Sequence, residues 1–307
     1  MKITIVGTGA VGGYYGLKLM HKGHDVIFIT TTRSCKIINE KGMHLKSVDG
    51  DIRFDKVMVS DDMSFAKDTD VILLCTKSYN TKEIAYKIKE KVNNNAVVIS
   101  LQNGIENEEI LSDILGKERI IGSTVFIFSS SPAAGEIIHS GAGSIILGEL
   151  DGKITERIQK YSEMFSESGI PAKISKNIRK DLWKKLFINA SYNGFTAILG
   201  DSLKNIKKVP EANQAYYDIL KECQMVAKAE GIDITDEETK KIFERFNQDN
   251  FLNVKSSTLQ DIEKGKPVEI DAIQGAVVRK ALKHNLKAPL NNLMYALIKL
   301  KTINFEQ

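Results

Sequence analysis

The stretch around residue 185 carries three polar side chains at helical spacing within an otherwise apolar segment. Lys185, Asn189 and Asn193 recur at i, i+4 and i+8, so a helix places them on one stripe. Burying such groups without partners costs stability, and a solvated face normally carries longer charged residues. The pattern therefore favours the polar wall of a cleft between two domains.

Polar residues also follow two predicted strands. Lys77 comes after the apolar run 71–75, and Asn103 lies in Gln102-Asn103-Gly104 after the run 96–101. Ligands on open α/β sheets bind outside the carboxyl ends of the strands. A cation and an amide there suit a site beside a nicotinamide, although ordinary loop polarity explains either residue taken alone.

The N-terminus contains the pattern G-x-G-x-x-G, which the chain spells with Gly7, Thr8, Gly9, Ala10, Val11 and Gly12. The first glycine permits a tight turn, the second lets the backbone approach a pyrophosphate, and the third lets the helix pack on the strand. Because the pattern directly follows a first strand and opens a helix, it predicts a dinucleotide site. The competing interpretation is a purely structural turn.

The second predicted strand ends in Thr30-Thr31-Thr32-Arg33-Ser34. A site that prefers NAD usually has an acidic residue there to bind the ribose hydroxyls. Here no carboxylate repels a 2′-phosphate, and Arg33 with neighbouring hydroxyls can bind one. We therefore favour NADP, while Arg33 could also be a solvated residue that begins the next helix.

Ser257 and Glu269 do not stand out by composition. Ser257 follows Ser256, and Glu269 lies between the apolar residues Val268 and Ile270, which favours an inward-facing side chain. The five histidines form no ligand pattern with Cys or Asp, which argues against a metal site. Neither a Walker P-loop nor a G-x-S-x-G elbow occurs in the sequence.

Strand–helix alternation in the first half predicts an α/β domain with a Rossmann-type, doubly wound parallel sheet. The strand predictions cover residues 3–6, 25–29, 71–75, 96–101 and 119–128, with further strand-like segments at 136–139 and 144–150. Asp49-Gly50 suits a tight turn, so residues 43–48 and 51–59 are predicted to form a hairpin. The first helix is predicted over residues 10–22.

From about Lys176 onward the pattern becomes helical. Helices are predicted over residues 177–200, 210–230, 237–247, 254–263 and 267–284. Thr235-Asp236-Glu237-Glu238 reads as a capping box at the start of one of them. We therefore predict two domains, a dinucleotide-binding domain over residues 1–175 and an all-helical substrate domain over 176–307, with a cleft between them.

Composition excludes several other classes. The 307 residues are 42% hydrophobic, and 43 Lys and Arg against 39 Asp and Glu give a net charge of only +4. This scattered charge does not predict nucleic-acid binding. No apolar run approaches the ~20 residues of a membrane helix, and the start does not resemble a signal peptide. Three distant cysteines indicate a reducing compartment, so the expected location is the cytoplasm.

Taken together, the chain resembles the ketopantoate reductase (2-dehydropantoate 2-reductase) family over essentially its whole length. The resemblance rests on the glycine motif, Lys77, Leu101-Gln102-Asn103-Gly104, Leu182-Trp183-Lys184-Lys185-Leu186 with Asn189 and Asn193, residues 256–261 and residues 268–271. Many dehydrogenases share the glycine motif. The set from Trp183 to Asp271 is much more specific.

The resemblance implies a reductase of pantothenate biosynthesis, on the route to coenzyme A, that transfers hydride from NADPH to the C2 ketone of 2-dehydropantoate and forms (R)-pantoate. By resemblance, Lys185 is the general acid and Glu269 is the carboxylate that contacts substrate hydroxyls. Substrate positions are matched by Lys77, Asn103, Asn189, Asn193 and Ser257. Cofactor contacts are expected from the glycine motif, Arg33, Lys77, Asn103 and Glu269.

One position departs from the family. An arginine often stands directly at the end of the second strand, whereas this chain has Thr31 there and Arg33 two residues later. Two alternatives stay open: a reductase of a related 2-keto acid, and a non-catalytic sensor of the nicotinamide redox state. Retention of Lys185 and Glu269 favours an enzyme. The sequence leaves a homodimer open, since no heptad pattern marks an interface.

Overall fold

A mixed β-sheet forms the framework of the N-terminal half in the computed structural model, which describes residues 1–305. The strands are β1 Lys2–Val6, β2 Asp25–Ile29, β3 Met43–Ser47, β4 Ile52–Phe54, β5 Met58–Ser60, β6 Val71–Leu74, β7 Val97–Ser100, β8 Ile120–Ala133, β9 Glu136–Gly148 and β10 Ala172–Ile174. Their order is β4-β3-β9-β8-β7-β6-β1-β2-β5, and β10 pairs with β9. The run from β8 to β5 is parallel, and β8 and β9 form a long antiparallel hairpin.

The parallel strands are buried on both faces, as their continuous apolar runs predict. Val71 and Leu73 of β6 belong to one hydrophobic cluster, and Ile72 and Leu74 belong to another. Successive side chains of a strand point to opposite faces, so each face has its own core. The helices of this half are α1 Ala10–His21, α2 Thr32–Lys41, α3 Thr81–Lys91, α4 Asn107–Leu115 and α5 Glu156–Glu167.

The remaining helices follow β10. They are α6 Ile178–Ile188, α7 Gly194–Leu199, α8 Pro210–Ala229, α9 Asp236–Phe246, α10 Asp249–Leu252, α11 Ser257–Glu263, α12 Gln274–Lys283 and α13 Pro289–Lys301. The predicted capping box is confirmed, because Thr235 accepts from the Glu238 backbone and the Glu238 side chain accepts from the Thr235 backbone. The predicted fold class, a Rossmann-type sheet followed by an all-helical part, is confirmed.

The chain divides into two compact units. The N-terminal unit holds Met1–Gln102 and Asn107–Ile178, and the helical unit holds Asn103–Glu106 and the residues from Arg179 onward. The short segment Asn103–Glu106, which follows β7 in sequence, thus belongs to the helical unit. None of the helices within residues 1–305 is long and apolar enough to span a lipid bilayer.

The predicted hairpin is only partly right. Strand β4 pairs with β3 in antiparallel orientation, but residues 51–59 do not form one strand. The charged pair Asp55 and Lys56 interrupts the strand after Phe54, and β5 instead adds in parallel to β2. Gly50 adopts φ +109° in the connecting turn, a conformation that favours glycine.

Two helix predictions were also wrong in part. Residues 177–200 are not one α-helix, because the five residues Asn189–Asn193 between α6 and α7 form a π-helical segment. Helix α12 begins at Gln274 rather than at residue 267. Val268, Glu269 and Ile270 are all at most 9% exposed. Residues 266–269 have no regular secondary structure, and a turn over residues 270–273 leads into α12.

Candidate functional site

The glycine turn between β1 and α1 has the backbone that its residue types predict. Gly7 has φ +99°, and a Cβ there would lie 2.9 Å from the backbone nitrogen of Thr76. A Cβ on Gly12 would lie 1.9 Å from the carbonyl oxygen of Gly7 and 3.0 Å from the Ile5 side chain. Both glycines are therefore required by close packing of the helix against the sheet.

Gly9 differs from these two glycines. Apart from Gly9 and its two chain neighbours, no residue has a heavy atom within 4 Å of the position that its Cβ would take, so the turn is open at this point. Gly9 is also the N-cap of α1, which has no side-chain cap and no acidic residue in its first turn. Helix N-terminal amides with open space before them attract a phosphate. The residues present thus fit the pyrophosphate of a dinucleotide.

The end of β2 lies beside this turn. The hydroxyl oxygens of Thr8 and Thr30 are 2.7 Å apart, and the Gly7 amide donates to the Ile29 carbonyl. Thr31 caps α2 by accepting a hydrogen bond from the Ser34 amide. Arg33 is exposed in the first turn of α2, where no acidic residue is present. A cation and helix amides with no competing carboxylate in that turn suit an added phosphate.

Lys77 occupies the same carboxyl edge of the sheet. It is half-buried and precedes the 3₁₀ turn Ser78–Asn80, three residues after β6 ends. The side chain of Gln102 secures this turn from the neighbouring strand: its Nε2 donates to the Thr76 carbonyl at 3.0 Å and to the Thr81 hydroxyl at 2.9 Å. Gln102 is 5% exposed. Sequence reasoning noted the Gln102-Asn103-Gly104 motif but missed this supporting role of its glutamine.

A chain of side-chain hydrogen bonds joins three predicted residues of the helical unit. Asn103 Nδ2 donates to Glu269 Oε2 at 3.1 Å. Asn189 Nδ2 donates to Asn103 Oδ1 at 3.4 Å. Asn103 is thus placed between the carboxylate and the π-helical segment, and Glu269 is 8% exposed. A buried carboxylate of this kind can accept hydrogen bonds from a ligand hydroxyl.

Lys185 and Asn193 lie on either side of Asn189 along the helix. Lys185 is half-buried on α6, one turn before the π-helical segment. Asn193 is 5% exposed, and its Nδ2 has no hydrogen-bond partner among the described residues. An unpaired buried amide destabilises a folded protein by roughly 1–3 kcal/mol. We therefore expect the Asn193 amide to form a hydrogen bond with a bound ligand.

The π-helical segment preserves the stripe that the sequence predicted. In an α-helix, residue i+4 is rotated about 40° ahead of residue i. The wider i→i+5 turn reverses this drift, so Asn193 returns towards the direction of Lys185. Gln274 stabilises the segment, because its buried Nε2 donates to the Ala190 carbonyl at 2.9 Å. Neither Gln274 nor the π turn has a sequence signal that we recognised.

The two serines before α11 have different surroundings. Ser256 is buried, caps α11 through the Leu259 amide, and lies 2.6 Å from the Thr196 hydroxyl. Ser257, the predicted substrate residue, is exposed at the first position of α11. The serine with the structural role is therefore the neighbour of the predicted one. Among residues 1–305, no group of three or more His, Cys, Asp or Glu side chains could hold a metal ion.

The chain combines a Rossmann-type unit, which has an open glycine turn, with a helical unit that carries Lys185 and the hydrogen-bonded carboxylate of Glu269. This architecture is typical of a two-domain oxidoreductase. The family model "Ketopantoate reductase PanE/ApbA" matches residues 3–152, and its C-terminal counterpart matches residues 177–302. The chain belongs to the ketopantoate reductase family.

Relatives of known name agree with this assignment. A 2-dehydropantoate 2-reductase of Pyrococcus abyssi is 33% identical over 97% of each chain. The crystal structure of a PanE/ApbA family ketopantoate reductase from Ralstonia eutropha matches with a TM-score of 0.91 at 31% identity over 100% of both chains. The structure of D-mandelate dehydrogenase with NADH and anilino(oxo)acetate matches with a TM-score of 0.92 at 26% identity, over 99% of both chains.

Proposed function

We propose that this chain is a 2-dehydropantoate 2-reductase, which uses NADPH to reduce the C2 ketone of 2-dehydropantoate to (R)-pantoate for pantothenate biosynthesis. The observation that carries the proposal is the hydrogen-bonded series Glu269–Asn103–Asn189 with Lys185 one turn away on α6. It combines an acceptor for a substrate hydroxyl with a cation for a ketone oxygen.

Lys185 is the proposed general acid. When bound, the reduced nicotinamide supplies a hydride, and the ketone oxygen then gains negative charge. An ammonium stabilises that charge and donates the proton that completes the alcohol. An unperturbed lysine side chain is protonated at neutral pH, as this role requires.

Glu269 and Asn193 are the proposed substrate-orienting residues. The substrate carries a free hydroxyl, which can donate to the buried Glu269 carboxylate. The buried Nδ2 of Asn193 can donate to a substrate oxygen, and binding would then satisfy a group that has no protein partner within residues 1–305. By orienting the keto acid close to the nicotinamide, these residues would increase the rate of reduction.

NADPH is the proposed cofactor. Support comes from Arg33 and the N-terminus of α2, and from the absence of an acidic residue in the first turn of that helix. The proposed phosphate site depends on Arg33 because Thr31, at the end of β2, is neutral and its hydroxyl already caps the helix.

The test follows the absorbance of the reduced cofactor with purified protein and 2-dehydropantoate, with NADPH and NADH in parallel. Rapid oxidation of NADPH and little oxidation of NADH is the expected result. Equal rates with the two cofactors would contradict the Arg33 assignment. Cofactor binding without turnover would contradict 2-dehydropantoate as the substrate and favour either another 2-keto acid or a redox sensor.

A second candidate is the reduction of another 2-keto acid with NADH, and the similarity to D-mandelate dehydrogenase favours it. The keto acid that corresponds to mandelate has a phenyl ring and no hydroxyl, so it would leave Glu269 without a donor from the substrate. A buried carboxylate against an apolar ring is costly. Comparison of kcat/KM for the two keto acids separates the candidates.

A further inference from the structure

The π-helical segment Asn189–Asn193 receives a side-chain hydrogen bond from a distant part of the helical unit. In an α-helix, the Gly194 amide would donate to the Ala190 carbonyl, four residues earlier. Here it donates to the Ser191 carbonyl instead. The Ala190 carbonyl accepts from Nε2 of Gln274 at 2.9 Å, although Gln274 lies 84 residues further along the chain. The glutamine amide thus takes the place of an α-helical donor.

The surroundings of Gln274 favour this bond. Gln274 is 1% exposed, and Ile273 and Ala190 belong to one hydrophobic cluster of the helical unit. An amide in apolar surroundings is costly when it has no hydrogen bond. Helix α12 begins at Gln274, so the backbone of this residue is fixed at the start of a helix. We therefore expect the amide to stay on the Ala190 carbonyl.

Gly194 provides the space for the glutamine amide. A Cβ on Gly194 would lie 2.9 Å from Nε2 of Gln274, which is closer than side-chain contacts allow. The φ of Gly194 is −59°, an ordinary helical value, so the backbone conformation does not require glycine. Alanine is also the stronger helix former. The approach of the Gln274 amide therefore explains why a glycine stands here.

Gln274 also ends the segment that carries Glu269. The two residues are five positions apart in the chain. The Glu269 carboxylate accepts a hydrogen bond from Asn103, and Asn103 accepts one from Asn189. Asn189 begins the π-helical segment, to which Gln274 donates. Hydrogen bonds and the connecting backbone thus close a ring through the carboxylate, the two asparagines and the glutamine.

This ring fixes the directions of two asparagine side chains. Asn189 and Asn193 are the first and last residues of the π-helical segment. In an α-helix, Asn193 would be rotated about 40° past Asn189, whereas the wider i→i+5 turn reverses this rotation. Loss of the bond from Gln274 would favour the α-helical arrangement. The buried Nδ2 of Asn193 would then point in a different direction.

We propose that Gln274 is a positioning residue of the active site, whose amide holds residues 189–193 in the π-helical turn and thereby aims Asn189 and Asn193 at the substrate. This inference rests on the proposed function, since it takes these asparagines as residues that orient a keto acid. Gln274 acts through them and not on the reacting atoms.

The first test compares the steady-state kinetics of Gln274→Met with those of the parent chain. Methionine has a similar length but no donor, so KM for 2-dehydropantoate should rise by about tenfold. The change in kcat should stay below about threefold, because no group that acts on the reacting atoms is removed.

Gln224→Met is the matched control. Nε2 of Gln224 donates to the Ile234 carbonyl at 2.8 Å, so the variant removes the same kind of bond elsewhere in the helical unit. Gln224→Met should lower the free energy of unfolding without a rise in KM. An equal rise in KM in both variants, or no rise in Gln274→Met, would overturn the proposal.

Gln274→Glu tests whether the donor itself matters. A protonated glutamic acid can donate to the Ala190 carbonyl, whereas a carboxylate cannot. Burial and mild acid both favour the protonated form, so at about pH 5 the KM of Gln274→Glu should lie close to that of the parent chain. A KM as high as that of Gln274→Met at the same pH would overturn the role of the donor.

Gly194→Ala reaches the same bond from the other side. Its methyl group would displace the Gln274 amide, so KM should rise as it does in Gln274→Met, although alanine favours the helix. The double variant should have a KM no higher than Gln274→Met alone, because both changes break one bond. Additive effects of the two changes would overturn the shared mechanism.

The last experiment needs no substrate and separates this inference from the proposed function. Hydrogen–deuterium exchange of a peptide over residues 189–199 in the free protein should be faster by about tenfold in Gln274→Met and unchanged in Gln224→Met. Unchanged exchange in Gln274→Met would overturn the role of Gln274 in the turn. Faster exchange together with a parent chain that does not reduce 2-dehydropantoate would contradict the proposed function alone, and the KM comparison would then use the 2-keto acid that the parent chain does reduce.

Discussion

Asn103 donates a hydrogen bond of 3.1 Å from its Nδ2 to Oε2 of Glu269, which lies 166 residues further along the chain. The same asparagine accepts a hydrogen bond from Asn189 through Oδ1. The amide therefore has a defined orientation, with its donor on the carboxylate and its acceptor on the helix. Since Glu269 lies in a segment without regular secondary structure, this bond contributes to holding its carboxylate in place.

Replacement of Asn103 by alanine should weaken binding of 2-dehydropantoate more than it slows the chemical step. When Glu269 loses this support, its proposed hydrogen bond to the substrate hydroxyl is weakened; such a bond to a charged group is worth roughly 1.5–3 kcal/mol, so its loss corresponds to a rise in KM of about tenfold or more. Steady-state kinetics of Asn103→Ala and of the exposed control Asn95→Ala provide the measurement. An unchanged KM in Asn103→Ala would show that the carboxylate needs no support from Asn103.

Lys185→Ala should reduce kcat strongly, by about 10²–10⁴-fold, with a smaller effect on KM. The reason is that the proposed general acid acts on charge that develops only in the transition state. Lys184→Ala is the matched control, because the adjacent Lys184 forms an ion pair with Glu238 at 2.9 Å and has no proposed catalytic role. If both variants lose the same activity, Lys185 is not the general acid.

Much of the fold followed from local patterns. The continuous apolar runs of β6 and β7 and the glycine turn identified the parallel sheet, because burial on both faces leaves a distinct sequence pattern. The long β8–β9 hairpin was predicted only as separate segments. Its pairing is interrupted by shifts in register, for example between Phe126 and Ile127, which break the alternation that a sequence pattern can detect.

The helical unit shows why local patterns were insufficient for the site. The spacing of Lys185, Asn189 and Asn193 was visible in the sequence. The π-helical segment that follows Lys185 was not, and it accepts a hydrogen bond from Gln274, which is distant in sequence. Glu269 was predicted within a helix. It lies instead in an irregular segment before the turn at residues 270–273, where its neighbours Val268 and Ile270 are also buried. Its role was inferred from family resemblance, and it stays a prediction.

The two glycines at the start of α1 should respond differently to an added methyl group. Gly9→Ala should leave the free energy of unfolding nearly unchanged, because the Cβ enters open space and Gly9 has an ordinary φ of −72°. It should nevertheless weaken NADPH binding by about tenfold or more, since the methyl group occupies the space for the pyrophosphate. Gly12→Ala should destabilise the fold itself, because its Cβ would lie 1.9 Å from the Gly7 carbonyl oxygen.

Cofactor titration and chemical denaturation of both variants separate these effects. If Gly9→Ala lowers the free energy of unfolding as much as Gly12→Ala does, the turn does not have open space at Gly9. Gly9→Ala that binds NADPH like the parent chain would contradict the placement of the pyrophosphate there.

Glu230 should make the helical unit sensitive to acid. Burial alone would raise the pKa of Glu230, but hydrogen bonds from Lys280, His284 and Lys283 outweigh it and hold the pKa at about 2. A carboxylate with a lowered pKa stabilises the fold above its ordinary pKa of 4.5, and this stabilisation is lost as the pH falls towards 2. The Glu230 side chain is only 7% exposed. Its lowered pKa therefore contributes roughly 3 kcal/mol to the free energy of unfolding at neutral pH.

The variant Glu230→Gln should therefore be less stable than the parent chain at pH 7, and the difference should shrink between pH 4.5 and 2. Denaturant unfolding across this range measures the effect. Glu237→Gln serves as the control, because Glu237 pairs with Lys241 on the surface and its side chain is 75% exposed. A difference between Glu230→Gln and the parent chain that stays constant with pH would rule out this titration.

Asn193→Leu should stabilise the free protein while it impairs the enzyme. The Nδ2 of Asn193 is buried without a partner in the described part of the chain, so an apolar side chain of similar size removes an unsatisfied donor and should raise the free energy of unfolding by about 1 kcal/mol. The same change removes a donor for the substrate, so kcat/KM for 2-dehydropantoate should fall.

Thr196→Val is the contrasting control, because the Thr196 hydroxyl lies 2.6 Å from that of Ser256 and its loss should destabilise the fold. If Asn193→Leu destabilises the protein as Thr196→Val does, the amide serves the fold and not a ligand.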